Sequence, residues 1–352
     1  MRRRLERNGV FDQMNIIVDA FGGDHAPQAV IQGAAMAVQQ LGVEITLVGD
    51  EQIIRKTAEE QGTSLEQIRI LHTDEVFEMH EEPTSILKTH KNCSMAVGLR
   101  ALRDDQGDAF VSAGSTGALV VGATFLAKRS PGIKRAALAP LLPTAKGVSM
   151  LIDCGANADC RPEMLVQFAL MGSAYMKNVM GVENPAVGLV NIGSEDTKGR
   201  ELEIETYHRL QEAPVNFRGN LEAREIPGGE YDVIVTDGFT GNVILKLYEG
   251  MGSFFAHKLK DVFSGVSGKL SAALVLPRIK AFKKQMDYSE VGGAVLMGIA
   301  KPVIKAHGSS DARAFYNAIR QAKACVDEKM IETLTASVAA LQAMEEKKIE
   351  RA

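Results

Sequence analysis

Residues Ala109–Ala127 run AFVSAGSTGALVVGATFLA, and this stretch decides the fold. An apolar run, Ala109–Ser112, stops at a turn of glycine and hydroxyl residues, and an apolar stretch of helical length, Ala118–Ala127, follows it. A strand with no polar alternation is buried on both faces, the setting of parallel strands joined through helices. Working outward, similar runs stand at Asn15–Asp19, Glu44–Val48, Ile68–His72, Val148–Asp153, Ala186–Asn191 and Asp232–Asp237, separated by segments of helical length and period. The alternation predicts an α/β protein built of βαβ units around a mainly parallel sheet. No repeat or low-complexity linker interrupts it, so residues 14–348 are expected to form a single α/β unit behind a polar, arginine-rich, disordered leader at 1–13. Met14 offers a second possible start.

At 352 residues, 45% hydrophobic and 24% charged, the chain has a globular balance that excludes the fibrous and disordered classes. Its 33 glycines, 5% aromatics and absence of Trp fit many tight turns around an aliphatic core. The net charge of −4 supplies no overall positive field for nucleic acid, which is therefore not an expected partner. No apolar run reaches the roughly 18 residues of a membrane span, and the start Met1-Arg2-Arg3-Arg4 has no apolar stretch behind it, so a cytoplasmic protein is expected. Cys93, Cys154, Cys160 and Cys325 form no Cys-x-x-Cys pair and are expected as reduced thiols.

In an open parallel sheet the turns after the strands line the carboxyl edge, where ligands bind. Ser115 and Thr116, between strand and helix, can converge with backbone amides on a phosphate or an acyl oxyanion, although an ordinary capped turn uses the same residues. Asn191–Glu201 sets Lys198 and Arg200 after a strand, as an anion cradle or a solvated helix start. Behind Asp237, Asn242 and Lys246 share one helical face at i, i+4 spacing. His307, followed by Gly308, Ser309, Ser310 and Asp311, is the best general-base candidate because imidazole titrates near neutrality; alternatively Ser310 or Asp311 simply caps a long helix running to about Lys347. His25 is a second candidate, beside an equally plain N-cap. The carboxylates are scattered singly and the histidines form no close pair, so neither a metal nor a cofactor is expected.

Residues 254–286 differ from the rest. Apolar positions recur on a helical period through Phe255, Leu259, Val262 and Phe263, and again through Val275, Ile279, Phe282 and Met286, with seven basic residues against Asp261. This predicts a basic amphipathic hairpin that packs in a dimer and lies on anionic lipid, or docks an acidic carrier protein, or is simply a core helix with a solvated face.

Taken in order, Val18–Pro27, Ser112–Leu119, Asp153–Glu163, Asn191–Glu201, Asp237–Lys246 and Ala306–Ala312 resemble the bacterial phosphate acyltransferases of phospholipid synthesis, from about Met14 to the last helix. The resemblance implies a three-layer α/β/α sandwich with a mainly parallel sheet, similar to phosphotransacetylase and, more distantly, to the isocitrate and isopropylmalate dehydrogenases. It implies transfer of a long acyl chain from acyl carrier protein to inorganic phosphate, giving acyl-phosphate for glycerol-3-phosphate acyltransferase, by direct attack without a covalent acyl-enzyme. It further implies a homodimer at the inner face of the cell membrane, in peripheral contact with anionic lipid and that downstream enzyme. On this view Ser115, Thr116, Asn157, Lys198 and Asn242 bind phosphate or the acyl carbonyl, with Lys246 as a secondary cation. His307 with Ser309 serves as acid/base or oxyanion donor, and Asp237 and Asp311 orient their partners. Two other readings compete: a nicotinamide-dependent decarboxylating dehydrogenase, disfavoured by the lack of a Gly-x-Gly-x-x-Gly turn after a strand, and a membrane scaffold, which leaves the polar turns unexplained.

Overall fold

A computed structural model describes residues 13–263 and 292–349. The expected leader and most of the expected 254–286 hairpin lie outside these residues; its first part, through Val262, is helical. The chain begins with β1 (Asn15–Asp19), α1 (Gln28–Leu41), β2 (Glu44–Gly49), α2 (Glu51–Glu60), β3 (Ile68–His72), α3 (Ser94–Arg103), β4 (Ala109–Ser112) and α4 (Thr116–Gly122). It crosses through β5 (Ala137–Ala139) into β6 (Leu141–Thr144), β7 (Gly147–Ile152), α5 (Pro162–Asn178), β8 (Ala186–Asn191), α6 (Glu201–Glu212), β9 (Asn216–Glu222), β10 (Val233–Val235) and α7 (Gly238–Val262). It returns with β11 (Ala294–Met297), β12 (Val303–Lys305), α8 (Ala312–Asp327) and α9 (Met330–Ile349).

The strands form two sheets, ordered β3-β2-β1-β4-β12-β11-β5 and β6-β7-β10-β8-β9. Their centres are parallel, and antiparallel pairing is confined to β11, β5 and β6. Side chains alternate across each strand, which is what puts helices on both faces. In β1, Ile16 and Val18 pack into the core cluster that holds α1 and α8, whereas Ile17 joins the cluster of α3 and α4. In the second sheet, Met150 and Ile152 face α5, while Leu151 and Ile234 face the Leu245 side of α7. The largest cluster draws on both sheets, and burial of each Phe or Leu in it contributes about 1.5–3 kcal/mol.

The expected strands are present with small shifts at their ends, within a mainly parallel α/β architecture. Four strands escape the sequence pattern. Proline at 140 separates β5 from β6, β9 is polar with a glycine at 219, and β11 is only four residues long. The expected helix from Ala118 continues beyond α4 as a π-helical turn, Ala123–Lys128. The expected single helix to about Lys347 is corrected to two: Lys329 has a left-handed φ of 48°, which an α-helix does not admit, so α8 stops and α9 starts afresh.

Candidate active site

In the larger sheet, β2 and β3 lie to one side of β1 and β4 to the other, so the strand order reverses between β1 and β4. A crevice opens outside the carboxyl ends of strands at such a point. There Asp19, buried at the end of β1, accepts hydrogen bonds from Ser94 Oγ at 2.6 Å, Ser112 Oγ at 2.7 Å and the Phe21 N–H at 3.2 Å. Burial pushes its carboxyl above the usual range, opposed by these bonds and by Lys305. Only glycine fits alongside: a Cβ on Gly22 would stand 2.6 Å from Gly114 N and 2.7 Å from Asp19 Oδ2. A third turn is tied in where the Asp24 N–H donates to the Gly308 carbonyl at 2.8 Å.

Asp153 is the counterpart after β7. Its carboxylate accepts from the backbone N–H of Leu138 at 2.8 Å, of Ala156 at 3.2 Å and of Asn157 at 2.7 Å, and from Asn157 Nδ2 at 3.0 Å. Because Leu138 belongs to β5, Asp153 fastens the smaller sheet to the larger. The first turn of α7 rests on the same place; a Cβ on Gly241 would collide with the Asp153 carbonyl oxygen. Asp237 caps α7, accepting from the Thr240 N–H at 2.8 Å and Thr240 Oγ1 at 2.9 Å, and pairs with Arg200 at 2.6 Å. Burial alone would raise its carboxyl, but the Thr240 and Arg200 bonds outweigh that and hold it below the usual range.

Between the sheets and α7 lies a cavity of about 1000 Å³. One end is polar, with Thr116, Asn242, Lys246, Lys305 and His307. The rest is a largely apolar arm between the 138–143 segment and α7, walled by Leu141, Leu142, Leu245, Phe255, Leu259 and Phe263, with Ser253, His257 and Lys260 also on its lining. At about 1.5 Å per helical residue, Lys246 and Leu259 stand about 20 Å apart along α7, so the arm is long as well as apolar.

Of the residues singled out from the sequence, Thr116, Asn242, Lys246 and His307 therefore meet around one space. Ser309 supports His307, with Oγ 2.8 Å from Nδ1. Burial holds the His307 imidazole below its ordinary value, with Glu249 opposing and Lys246 and Lys305 adding to the effect, so the ring is neutral at pH 7. Lys246 is ion-paired to Glu249 at 2.8 Å. The remaining candidates stand outside the cavity lining. Ser115 and Asp311 are N-caps, accepting from Ala118 N and Ala314 N respectively. Asn157 is spent on Ala136 O and Asp153, and Lys198 is exposed on the loop after β8. His25 is exposed in the turn before α1, where its carbonyl accepts from the Ala29 N–H.

Asp19, Asp153 and Lys305 do not figure among the sequence candidates. Lys305 is the informative omission: the third residue of β12, it is only 8% exposed and donates to the carbonyls of Ala113, at 3.2 Å, and Ala306.

Residues 14–333 match the family model described as fatty acid synthesis protein. A phosphate acyltransferase of Oceanobacillus iheyensis is 48% identical over 335 residues, covering 95% of this chain and 100% of that one. Another, from Alkaliphilus oremlandii, is 45% identical over 329 residues, covering 93% and 98%. The chain belongs to this family. It is an acyltransferase, and the resemblance that the six motifs carry is borne out. Among solved structures it is similar to a phosphotransacetylase of Streptococcus pyogenes, with TM-score 0.62 over 90% of this chain and 94% of that one, and to the EutD phosphotransacetylase of Staphylococcus aureus, with TM-score 0.59 over 89% and 94%. Both are 17% identical, a likeness of fold.

The family's chemistry has no thiolate to work with here. All four cysteines are free, and burial pushes Cys93 up to about 11, Cys160 and Cys325 up to about 12, and Cys154 well above its usual value. Among the described residues no three His, Cys, Asp or Glu side chains are grouped to hold a metal ion, and no helix is long and apolar enough to cross a membrane.

Proposed function

We propose that this acyltransferase moves a long-chain acyl group from acyl carrier protein to inorganic phosphate and releases acyl-phosphate for phospholipid synthesis. The observation that carries the reading is one cavity that joins a polar end holding two lysines to a long, largely apolar arm. Few acceptors other than a small polyanion suit a pocket with two lysines, an amide and a hydroxyl, and an acyl chain is what an apolar arm about 20 Å long excludes from water.

The thioester carbonyl lies at the junction of the two parts, and a phosphate oxygen attacks its carbon directly. The new C–O bond forms as the C–S bond breaks, and the proton on the phosphate passes to the departing thiolate. In this reading His307, held by Ser309 and lining the cavity, carries that proton, while Asn242 and Thr116 donate to the carbonyl oxygen or the phosphate. With every thiol protonated, a covalent acyl-cysteine has no support.

The reading extends to a peripheral, dimeric enzyme acting beside glycerol-3-phosphate acyltransferase. It is supported by the outward stripe of α7, where Phe239, Val243, Leu247, Met251 and Phe254 are all exposed. The test is mass-spectrometric detection of acyl-phosphate when the purified protein meets palmitoyl-acyl carrier protein and phosphate. Product that needs both reactants supports the reading; its absence from folded protein ends it.

A further inference from the structure

Burying an ammonium is costly unless an anion or a full set of acceptors compensates it. Lys305 has neither in full. Its Nζ meets two backbone carbonyls, Ala113 O and Ala306 O, and among the described residues it forms no ion pair. The buried carboxyl that acts on it, Asp19, is committed to Ser94, Ser112 and the Phe21 N–H. An ammonium has three donors, so one is left over, and the residue lines the polar end of the cavity beside Thr116, Lys246 and His307.

The other basic residues near this end differ in kind. Lys246 is on a helix surface and has Glu249, whereas Arg200 is shared between Glu203 and Asp237. A charge kept at the buried floor of a cleft without an ion pair is arranged for an anion that arrives later, where its attraction is worth more than in water. We propose that Lys305 is a catalytic residue that binds the incoming phosphate, its ammonium bonded to one phosphate oxygen at the cleft floor so that another oxygen faces the thioester. The inference rests on the transfer to phosphate proposed above and names the group that receives that substrate.

The charged and titratable groups facing Lys305 are Lys246 from α7, His307 in the turn after β12, Asp19 at the end of β1 and Asp24 in the following turn. Burial, and then Lys246, lowers its ammonium to about 8, with Asp19 and Asp24 opposing. Phosphate should therefore bind less well as pH rises through about 8, where the free protein loses this proton.

The test combines two measurements. Thermal melts of the full chain alone, with phosphate against chloride at matched ionic strength, read phosphate binding without any acyl donor. Steady-state kinetics then separate the KM for phosphate from that for the acyl donor. The expected result is a phosphate-induced rise in Tm that Lys305→Met abolishes, and a phosphate KM raised about tenfold or more with the acyl-donor KM little changed. A Lys305→Met protein that keeps the Tm rise and a phosphate KM within about twofold of the parent overturns the proposal. Should that variant not fold, the parent decides: phosphate affinity that stays level through pH 8 overturns it, and affinity that falls there supports it. A parent that binds phosphate through Lys305 yet forms no acyl-phosphate refutes the transferase reading and leaves this site standing.

Discussion

The two sheets each end in a buried carboxyl, and the two are held differently. Asp153 is gripped mainly by backbone amides, from Leu138, Ala156 and Asn157, whereas two of the three donors to Asp19 are serine hydroxyls. Burial pushes both carboxyls up. An amide N–H points one way, while a hydroxyl rotates and can donate or accept. The Asp153 edge is thus fixed, which suits its task of fastening β7, β5 and the start of α7. The Asp19 edge can adjust, and it is the edge that carries Lys305 and His307. Rigidity stands on the side that holds the cavity's shape, and adaptability on the side that carries Lys305 and His307.

The largest expected effect falls on the adaptable side. On the proposed mechanism His307→Ala should lower turnover by about 10²–10⁴-fold with little change in Tm, because it would remove a proton carrier rather than packing. Ser309→Ala should cost less, since it removes only the partner of Nδ1. On the acid side the sign follows from the lowered His307 value. The unfolded imidazole takes up a proton near 6.5 before the folded one does, so this group's contribution to stability declines as pH falls below that point, while activity declines only further down, where the folded ring itself takes up a proton. A pH profile of kcat/KM that stays flat on the acid side down to the pH at which the fold is lost would remove His307 from the proton path.

The comparison breaks if the two carboxyls respond alike to amidation. Asp153→Asn sets an NH₂ group against fixed N–H donors and should destabilise by about 2–3 kcal/mol, whereas Asp19→Asn lets Ser94 and Ser112 turn to accept and should cost about 1 kcal/mol or less. Chemical denaturation of the two variants beside the parent measures the difference directly. Equal losses would mean that hydroxyl rotation gives the Asp19 edge no freedom.

Lys305 adds an effect of comparable size and opposite sign. Its folded value of about 8 lies below the ordinary 10.5, so between those pH values the unfolded chain holds more protons and stability rises with pH. Below 8 the penalty is complete. Lys305→Met should therefore be more stable than the parent at pH 7, by at most about 3 kcal/mol, and the gain should shrink as pH climbs from 8 towards 10.5. Denaturation at two pH values on either side of that window checks both size and sign. A buried functional charge that weakens the fold is the usual trade between stability and activity.

The strands and turns were legible because burial on both faces leaves apolar runs, and the carboxyl-edge rule then points to the turns that follow them. Asn242 and Lys246 could be paired from helical spacing alone. Lys305 could not, since a lysine closing a short strand looks like a solvated end until the fold shows what covers it. Asp237 and Asp311 illustrate the converse. A strand-end Asp before a helix is a natural site residue and an equally natural N-cap, and only the bonds to Thr240 and Ala314 show that both serve as caps. Strand β9 stayed hidden because its residues, NFRGNLE, carry no apolar alternation and a glycine at φ 104°. The larger part of α7's role, as wall of the apolar arm, depends on its partner segment 138–143, whose two short strands the sequence does not announce.

The smallest expected effect sharpens the contrast between two lysines that face the same space. Lys246 lies on an exposed helix and is paired with Glu249, so its charge is screened and partly neutralised before substrate arrives. Lys246→Met should raise the KM for phosphate by no more than about threefold, with the effect fading as ionic strength increases. The loss in Lys305→Met should persist in salt, because a charge buried at the cleft floor is screened much less than one on an exposed helix. Measuring the phosphate KM of both variants at low and high ionic strength separates the two cases. If Lys246→Met proved the more damaging and salt left its loss unchanged, the phosphate would sit against α7 rather than on the cleft floor, and the working cation would belong to the helix.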